Sequence, residues 1–370
     1  MDRVVYILGA GFSRPLGLPL MSDFIDKAKD IFSADPRQYK HFSSVFDSIR
    51  QQLAYITLFY NADLDNIEEV LSILTMRNIV GKEDKQNLID YKNFIIDVIK
   101  CLTPPIISPA AQPPAPTADA SLISQGKVSS KIPPHPTWIL PTTNQEYYVS
   151  FVLGLFNSTI KVNKLSPNVW EFNCSKLTKP PAEYSIITLN YDMVLENSAQ
   201  YVNDHMLGLK LEFSRPSHPN KATFPFLVKL HGSIDSGEII PPTWNKTVND
   251  TIKQEWEYAF RLLESANHIR FIGYSLPITD TYVRYLFKTS ILRTENLKSI
   301  NVYCLDTDGI TEDRYRTFIK LPPTKYRFMN ADALDYLKSV GGSNLYNEPL
   351  EEGDGRFIAS YDKRIKGIVL

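Results

Sequence analysis

The sequence predicts an α/β fold in which a parallel β-sheet is covered by helices on both faces. Short apolar runs rich in β-branched and aromatic residues alternate with stretches of helical periodicity, a pattern typical of buried parallel strands and their crossover helices. The predicted strands are residues 3–8, 184–189, 224–230, 269–272, 300–305 and 325–329. The predicted helices are residues 22–32, 193–202, 248–263, 280–292 and 332–337.

A long segment, residues 36–181, interrupts this alternation. Its first part carries apolar residues at helical spacing with no strand between them, as at Ile67, Val70 and Leu74, which predicts a helical insertion. Within it, residues 103–141 are rich in proline, alanine, serine and threonine, which predicts a mobile loop. The predicted domains are an α/β core of residues 1–35 and 182–340, the insertion 36–181, and a C-terminal extension 341–370 whose apolar end is expected to dock on the body or on a neighbouring molecule.

Composition excludes several classes of protein. Forty Lys and Arg against forty-one Asp and Glu leave a net charge of −1, so nucleic acid is expected only indirectly, through a partner, and an anionic membrane is not expected. The three cysteines lie far apart and form no Cys-x-x-Cys pair, which argues against a disulfide framework and a zinc ribbon. The apolar run before Gly9 is too short for a signal peptide or a membrane span, so we expect a cytoplasmic protein.

A glycine motif, Gly9-Ala10-Gly11-Phe12-Ser13, directly follows the first predicted strand. Glycine lacks a Cβ and lets backbone N–H groups approach a pyrophosphate. Arg14 stands where the dinucleotide fingerprint of hydride-transfer enzymes has its third glycine, and Pro15 and Pro19 are expected to postpone the helix. The alternative is a tight strand-to-helix turn without a ligand. The cofactor-binding candidates here are Gly9, Ala10, Gly11 and Ser13.

A second motif, residues 186–192, places polar side chains where an apolar strand ends. Ligands of open α/β sheets bind at that edge. Asn190 offers a donor and an acceptor without charge, which suits holding a water molecule or a ribose hydroxyl. Asp192 is a candidate for contact with ribose or for countering positive charge, and capping of the following helix is an equal alternative.

A third motif, residues 227–233, runs from a strand into a turn at His231-Gly232-Ser233. Of the six histidines, only His231 ends a predicted core strand. Imidazole can accept a proton near neutral pH, so His231 is a catalytic candidate, although a solitary histidine is more often structural.

A fourth motif, residues 271–277, again follows an apolar strand. Gly273 and Ser275 are candidates for contact with ribose or phosphate. An ordinary loop capped by Thr279 is the alternative.

In this order, the four motifs resemble those of the sirtuin superfamily. Its NAD site combines a Gly-Ala-Gly-x-Ser loop, a Thr-x-Asn-x-Asp turn, a Leu-His-Gly histidine and a Gly-x-Ser-Leu loop. Residues 17–19 resemble its Gly-Ile-Pro cofactor-loop piece, but residues 20–22 replace the Asp-Phe-Arg that normally follows. The resemblance implies a Rossmann-like core, NAD as substrate, and Asn190 and His231 in the two catalytic positions.

Protein-deacylating sirtuins carry a four-cysteine zinc domain, which these cysteines cannot supply. No zinc is therefore expected, and the helical insertion takes the place of that small domain. Tyr191, residues 66–71 and residues 273–280 look like the sirtuin-like domains of bacterial antiphage defence systems. Members of that group hydrolyse NAD to ADP-ribose and nicotinamide, some with a HerA-type ATPase or a short Argonaute, and several are homo-oligomers.

The chemistry fits this resemblance. Nicotinamide leaves a positively charged pyridinium as a neutral molecule, so no general acid is needed, in contrast to ordinary glycoside hydrolysis. Asn190 can position a nucleophile and His231 can accept its proton. We therefore expect an NAD glycohydrolase that depletes NAD on infection. The alternatives are a protein deacylase or ADP-ribosyltransferase, and a non-catalytic NAD- or ADP-ribose-binding scaffold or nuclease subunit of an ATPase complex.

Overall fold

The computed structural model describes residues 1–81, 85–104, 144–166, 169–216, 224–240, 250–291, 296–341 and 349–368. Most of the proline-rich segment and the last two residues of the apolar C-terminus lie outside these ranges. The chain divides into two compact units. The first, here called the sheet unit, comprises Met1–Pro104, Ala182–Met193 and Phe213–Asp335, and the second comprises Pro105–Pro181, Val194–Glu212 and Tyr336–Leu370.

The strands and α-helices are numbered in chain order within the described ranges. The strands are β1 (Asp2–Leu8), β2 (Ser158–Ser166), β3 (Val169–Lys176), β4 (Ala182–Thr188), β5 (Leu207–Gly208), β6 (Phe226–Lys229), β7 (Gly232–Ser233), β8 (Glu238–Ile239), β9 (His268–Ile272), β10 (Ser299–Cys304) and β11 (Tyr326–Asn330). The α-helices are α1 (Ala10–Ser13), α2 (Phe24–Ala34), α3 (Arg50–Thr57), α4 (Ile67–Gly81), α5 (Lys85–Leu102), α6 (Gln145–Leu155), α7 (Val194–His205), α8 (Asp250–Glu264), α9 (Thr281–Ile291), α10 (Ile310–Phe318), α11 (Ala333–Gly341) and α12 (Leu350–Ile368).

A six-stranded parallel sheet forms the centre of the sheet unit, in the order β11-β10-β9-β1-β4-β6. Counted along the chain, these strands are the sixth, fifth, fourth, first, second and third of the sheet. This is the doubly wound order, in which the direction of winding reverses between β1 and β9. The predicted fold class is confirmed, and all six predicted strands occur with ends shifted by no more than two residues.

Apolar side chains hold helices against this sheet. β6 is buried at all four positions, as expected of a parallel strand covered on both faces. Leu263 of α8 and Phe287 of α9 belong to one buried cluster with Phe271 of β9 and Val302 of β10. The burial of such side chains, worth about 1.5–3 kcal/mol each, fixes the sheet whose edge carries the predicted site.

The segment predicted as one helical insertion is grouped differently by the structure. Residues up to Pro104, which include α3, α4 and α5, belong to the sheet unit. The second unit contains α6 and an antiparallel hairpin of β2 and β3, so the insertion is not purely helical. The hairpin was not predicted, although alternation of polar and apolar residues from Thr159 to Asn163 is typical of a strand.

The C-terminal extension forms helix α12 within the second unit. The ring of Phe357 lies 5.5 Å from that of Tyr336, and the Tyr336 hydroxyl donates to Asp354 at 3.2 Å. None of the described helices combines the length and apolarity needed to cross a lipid bilayer.

Candidate active site

The four sequence motifs meet at one edge of the sheet. They follow β9, β1, β4 and β6, which are consecutive neighbours, so Gly273, Gly9, Asn190 and His231 stand in that order along the carboxyl ends of the strands. This edge includes the reversal of winding between β9 and β1, where open α/β sheets bind their ligands. Sequence order alone did not give this neighbour relationship.

The glycine motif packs directly against the loop that follows β9. The amide of Gly9 donates to Ile272 O at 3.1 Å, and that of Gly11 donates to Gly273 O at 2.9 Å. A Cβ on Gly9 would lie 2.6 Å from Tyr274 Cα, and one on Gly273, where φ is 61°, would meet Gly11 and Phe12. The contact between the two loops therefore requires glycine at these positions. Contact of the same glycines with a pyrophosphate stays a prediction.

Helix α1 starts at Ala10, directly after Gly9. Pro15 and Pro19 were expected to postpone the helix, but both come after this short helix. The longer helix α2 begins only at Phe24, so the prediction of an interrupted start is correct for that helix and wrong for α1.

The side chain of Asn190 is fixed by the glycine motif. Its Nδ2 donates to Gly9 O at 3.0 Å and to Ser13 Oγ at 3.1 Å, while its backbone amide donates to Thr188 Oγ1 at 3.1 Å. Because a carbonyl oxygen can only accept, the contact with Gly9 requires the nitrogen of the amide on that side. Both amide hydrogens are then used, and Oδ1 is the atom that remains to accept a hydrogen bond from a ligand.

Ser13 links Asn190 to Asp192. Its hydroxyl accepts from Asn190 and donates to Asp192 Oδ2 at 2.7 Å, and it is almost completely buried. A buried chain of donors and acceptors of this kind is rigid, because each member left without its partner would cost about 1–3 kcal/mol. The hydroxyl predicted to bind a cofactor is thus engaged on both sides by protein.

His231 lies in the tight turn between β6 and β7. Its ring is 1% exposed and meets the Tyr191 ring edge to face, with centroids 6.1 Å apart and an interplanar angle of 89°. The backbone joins the same two turns, since Ile234 N donates to Tyr191 O at 3.1 Å. The Asn190 and His231 motifs therefore form one packed region.

A pocket opens beside Asn190. Its lining residues are Ala10, Ser13, Leu18, Pro19, Leu20, Met21, Phe24, Ile67, Ile99, Leu189, Asn190, Tyr191 and Asp192. The polar groups come from the predicted site, and the apolar wall comes from the segment before α2 and from α4 and α5. His231, Gly273 and Ser275 are outside this lining, and Ser275 is exposed.

Sequence reasoning missed a buried lysine beside the turns that carry Asn190 and His231. Lys229, the last residue of β6, is 3% exposed, and its backbone amide donates to Glu255 Oε2 at 2.9 Å. Burial raises the pKa of the Glu255 carboxyl to about 7, although the Lys229 amide and nearby positive charge oppose the shift. The available signal was a single charged residue in an otherwise apolar run.

Burial and the carboxylates of Glu68 and Asp280 raise the pKa values of Tyr191 and Tyr274. Tyr274 donates its hydroxyl to Asp280 Oδ2 at 2.6 Å. Burial, followed by the negative charges of Glu68 and Asp280, holds the pKa of Tyr191 well above its usual range. Burial, Asp280 and Glu68 do the same for the pKa of Tyr274. Glu68 lies in the first turn of α4, so the predicted insertion contributes a charge close to the site.

No group of three or more His, Cys, Asp or Glu side chains suited to a metal ion occurs within the described ranges.

Residues 184–327 match the family model of the SIR2-like domain. This stretch runs from β4 into β11 and contains Asn190, His231 and Gly273. The search of curated proteins gives no match.

Among solved structures, the chain is similar to Sir2 in a crystal structure with the inhibitor EX-527, 2'-O-acetyl-ADP-ribose and a deacetylated p53 peptide. The two share 10% identity over 91% of this chain and 92% of that chain, with a TM-score of 0.30.

Proposed function

We propose that this chain, whose residues 184–327 match the SIR2-like domain, is an NAD glycohydrolase that releases nicotinamide and ADP-ribose. The observation that carries the proposal is the hydrogen-bonded chain Asn190–Ser13–Asp192 at the wall of a pocket, beside the point where the sheet reverses its winding. His231 stands at the end of the next strand. Rigid polar groups at that place in an open α/β sheet support binding and turnover of a nucleotide.

We assign the nicotinamide ring and its ribose to this pocket. Its apolar wall suits the ring, and the carboxylate of Asp192 supplies negative charge near a pyridinium cation. Asn190 Oδ1 would accept from a ribose hydroxyl or from the attacking water. We assign the remaining predicted contacts, from Gly9, Ala10, Gly11, Gly273 and Ser275, to the rest of the dinucleotide.

NAD brings to this site a nicotinamide group that departs as a neutral molecule. The chain must then hold the ribose, exclude bulk water and remove one proton from the acceptor. Asn190 orients the acceptor oxygen. We assign removal of its proton to His231, which lies buried against Tyr191 rather than in the lining of the pocket. Such proton transfer typically contributes about 10²–10⁴ in rate.

We extend the proposal to physiology from the sequence resemblance alone. Depletion of NAD would serve antiphage defence, with a homo-oligomer of this chain or a HerA-type ATPase as the assembly that activates it. Infection of cells that express the chain with and without its genomic neighbour tests this. A fall in cellular NAD that depends on Asn190 supports the proposal, and unchanged NAD in every combination contradicts it.

The biochemical test identifies both the products and the acceptor. The purified protein is incubated with NAD in water enriched in ¹⁸O, and the products are separated and their masses are determined by mass spectrometry. Nicotinamide together with ADP-ribose carrying one ¹⁸O is expected, because water attacks C1′ of the ribose. If nicotinamide release instead requires an acylated peptide or another protein, the reaction is deacylation or ADP-ribosyl transfer and not hydrolysis.

A further inference from the structure

Lys229 connects the two turns that carry Asn190 and His231. Its Nζ donates to Asp192 O at 2.6 Å and to Ser233 Oγ at 2.9 Å. Asp192 lies two residues after Asn190, and Ser233 lies two residues after His231. One ammonium group therefore joins equivalent positions of the two turns.

The three hydrogens of this ammonium group all have acceptors. The third contact is Met193 Sδ at 3.5 Å, and Ser233 Oγ donates to the same sulfur at 3.4 Å. Lys229, Asp192 and Ser233 are all buried. At a buried position a hydrogen bond from a cation to a carbonyl is stronger than one between neutral groups and fixes its partner more tightly.

Two carboxyl groups outside these contacts lie near the lysine. Glu255 of α8 accepts from the Lys229 backbone amide, and the Asp235 carboxyl follows the His231 turn. Burial acts to raise the pKa of Asp235, but the Ser233 hydroxyl and the Lys229 charge outweigh it and lower that pKa. A charge buried in this way is costly unless its partners are in place, so the lysine favours one arrangement of the two turns.

We propose that Lys229 is a positioning residue that holds Asn190 and His231 in their mutual arrangement for cleavage of NAD. This inference rests on the proposed function for its kinetic consequence, but its geometric consequence does not depend on turnover. Lys229 acts through Asp192 and Ser233. Removing the ammonium group would weaken the link between the two turns, which the hydrogen bond from Ile234 N to Tyr191 O would still join. A displacement of about 1 Å at a reacting centre can lower a rate about 100-fold.

The kinetic experiment compares Lys229→Met, Ser233→Ala and the exposed-lysine control Lys253→Met. We expect kcat for nicotinamide release to fall about 10- to 100-fold in Lys229→Met, with KM for NAD changed less than threefold. Ser233→Ala removes one acceptor with little loss of volume and should give a smaller fall. The double variant should lose less than the product of the two falls, because both changes break the same link.

A second readout is independent of activity. The ring signal of His231 in ¹³C-histidine-labelled protein, assigned by its loss in His231→Asn, should shift in Lys229→Met and in Ser233→Ala but not in Lys253→Met. Ser233→Ala keeps this test available if Lys229→Met fails to fold. A shifted signal in protein that never releases nicotinamide would reject the glycohydrolase and retain the positioning role. An unchanged signal and an unchanged kcat per folded molecule in Ser233→Ala and in any folded Lys229→Met would overturn that role.

Discussion

The side-chain nitrogen of Asn190 lies 3.0 Å from the carbonyl oxygen of Gly9, a contact between the ends of two neighbouring strands that are 181 residues apart in the chain. It sets the orientation of the amide group. It also makes the position of the candidate catalytic oxygen depend on the glycine motif, so that changes in either loop should affect the other.

Replacing Asn190 by aspartate should destabilise the protein as well as inactivate it. An aspartate oxygen in place of Nδ2 would face Gly9 O with no hydrogen to donate, so the contact becomes repulsive. We expect Asn190→Asp to lower the free energy of unfolding by about 1–3 kcal/mol, measured by urea denaturation at pH 7.5. Stability equal to wild type would contradict the observed amide orientation.

Ser13→Ala should lower the rate of nicotinamide release per folded molecule. The change removes the group between Asn190 and Asp192 and leaves the Asp192 oxygen without its donor. A fall in rate of about 10- to 100-fold is expected from the loss of positioning. Ser198→Ala is the matched control, because that buried hydroxyl donates to the carbonyl of Val194 in its own helix. Equal rates for the two variants would show that the link has no catalytic role.

Gly273→Ala should be far more damaging than Gly309→Ala. Both glycines have positive φ, 61° and 79°, so alanine is strained at either position. Only at Gly273 does a Cβ meet a neighbouring loop, whereas at Gly309 nothing lies within 4 Å of it. We expect Gly273→Ala to lose at least about 2 kcal/mol more unfolding free energy than Gly309→Ala. Equal losses would show that the two loops separate easily.

The raised pKa of Glu255 predicts a specific pH dependence of stability. The folded protein holds this proton up to about pH 7, whereas an unfolded glutamate releases it near 4.5. The contribution of Glu255 is therefore complete below 4.5 and is lost as pH rises through 7, at up to about 1.4 kcal/mol per pH unit. Glu255→Gln, which cannot titrate, should gain stability relative to wild type between pH 5 and pH 8. A constant difference over that range would exclude the raised pKa.

The sheet was predictable because buried parallel strands are apolar throughout and are separated by turn-forming residues. The site was predictable only as far as the strand ends, where Asn190 and His231 stand out from their apolar neighbours. Which side chains touch each other depends on strand order and side-chain direction, so the contact of Ser13 with Asp192 was not predictable. Lys229 was overlooked because a charged residue at a strand end usually reaches solvent, whereas here it lies below two turns.

The participation of Asn190 and His231 in cleavage of NAD is measured most directly by the rate of nicotinamide release from saturating NAD. Wild type is compared with Asn190→Ala and His231→Ala, and the controls Asn87→Ala and His41→Ala change the same residue types outside the site. We expect release by wild type and both controls, and a loss of at least about 100-fold in each of the two site variants. Release at more than half the wild-type rate by either Asn190→Ala or His231→Ala would contradict it.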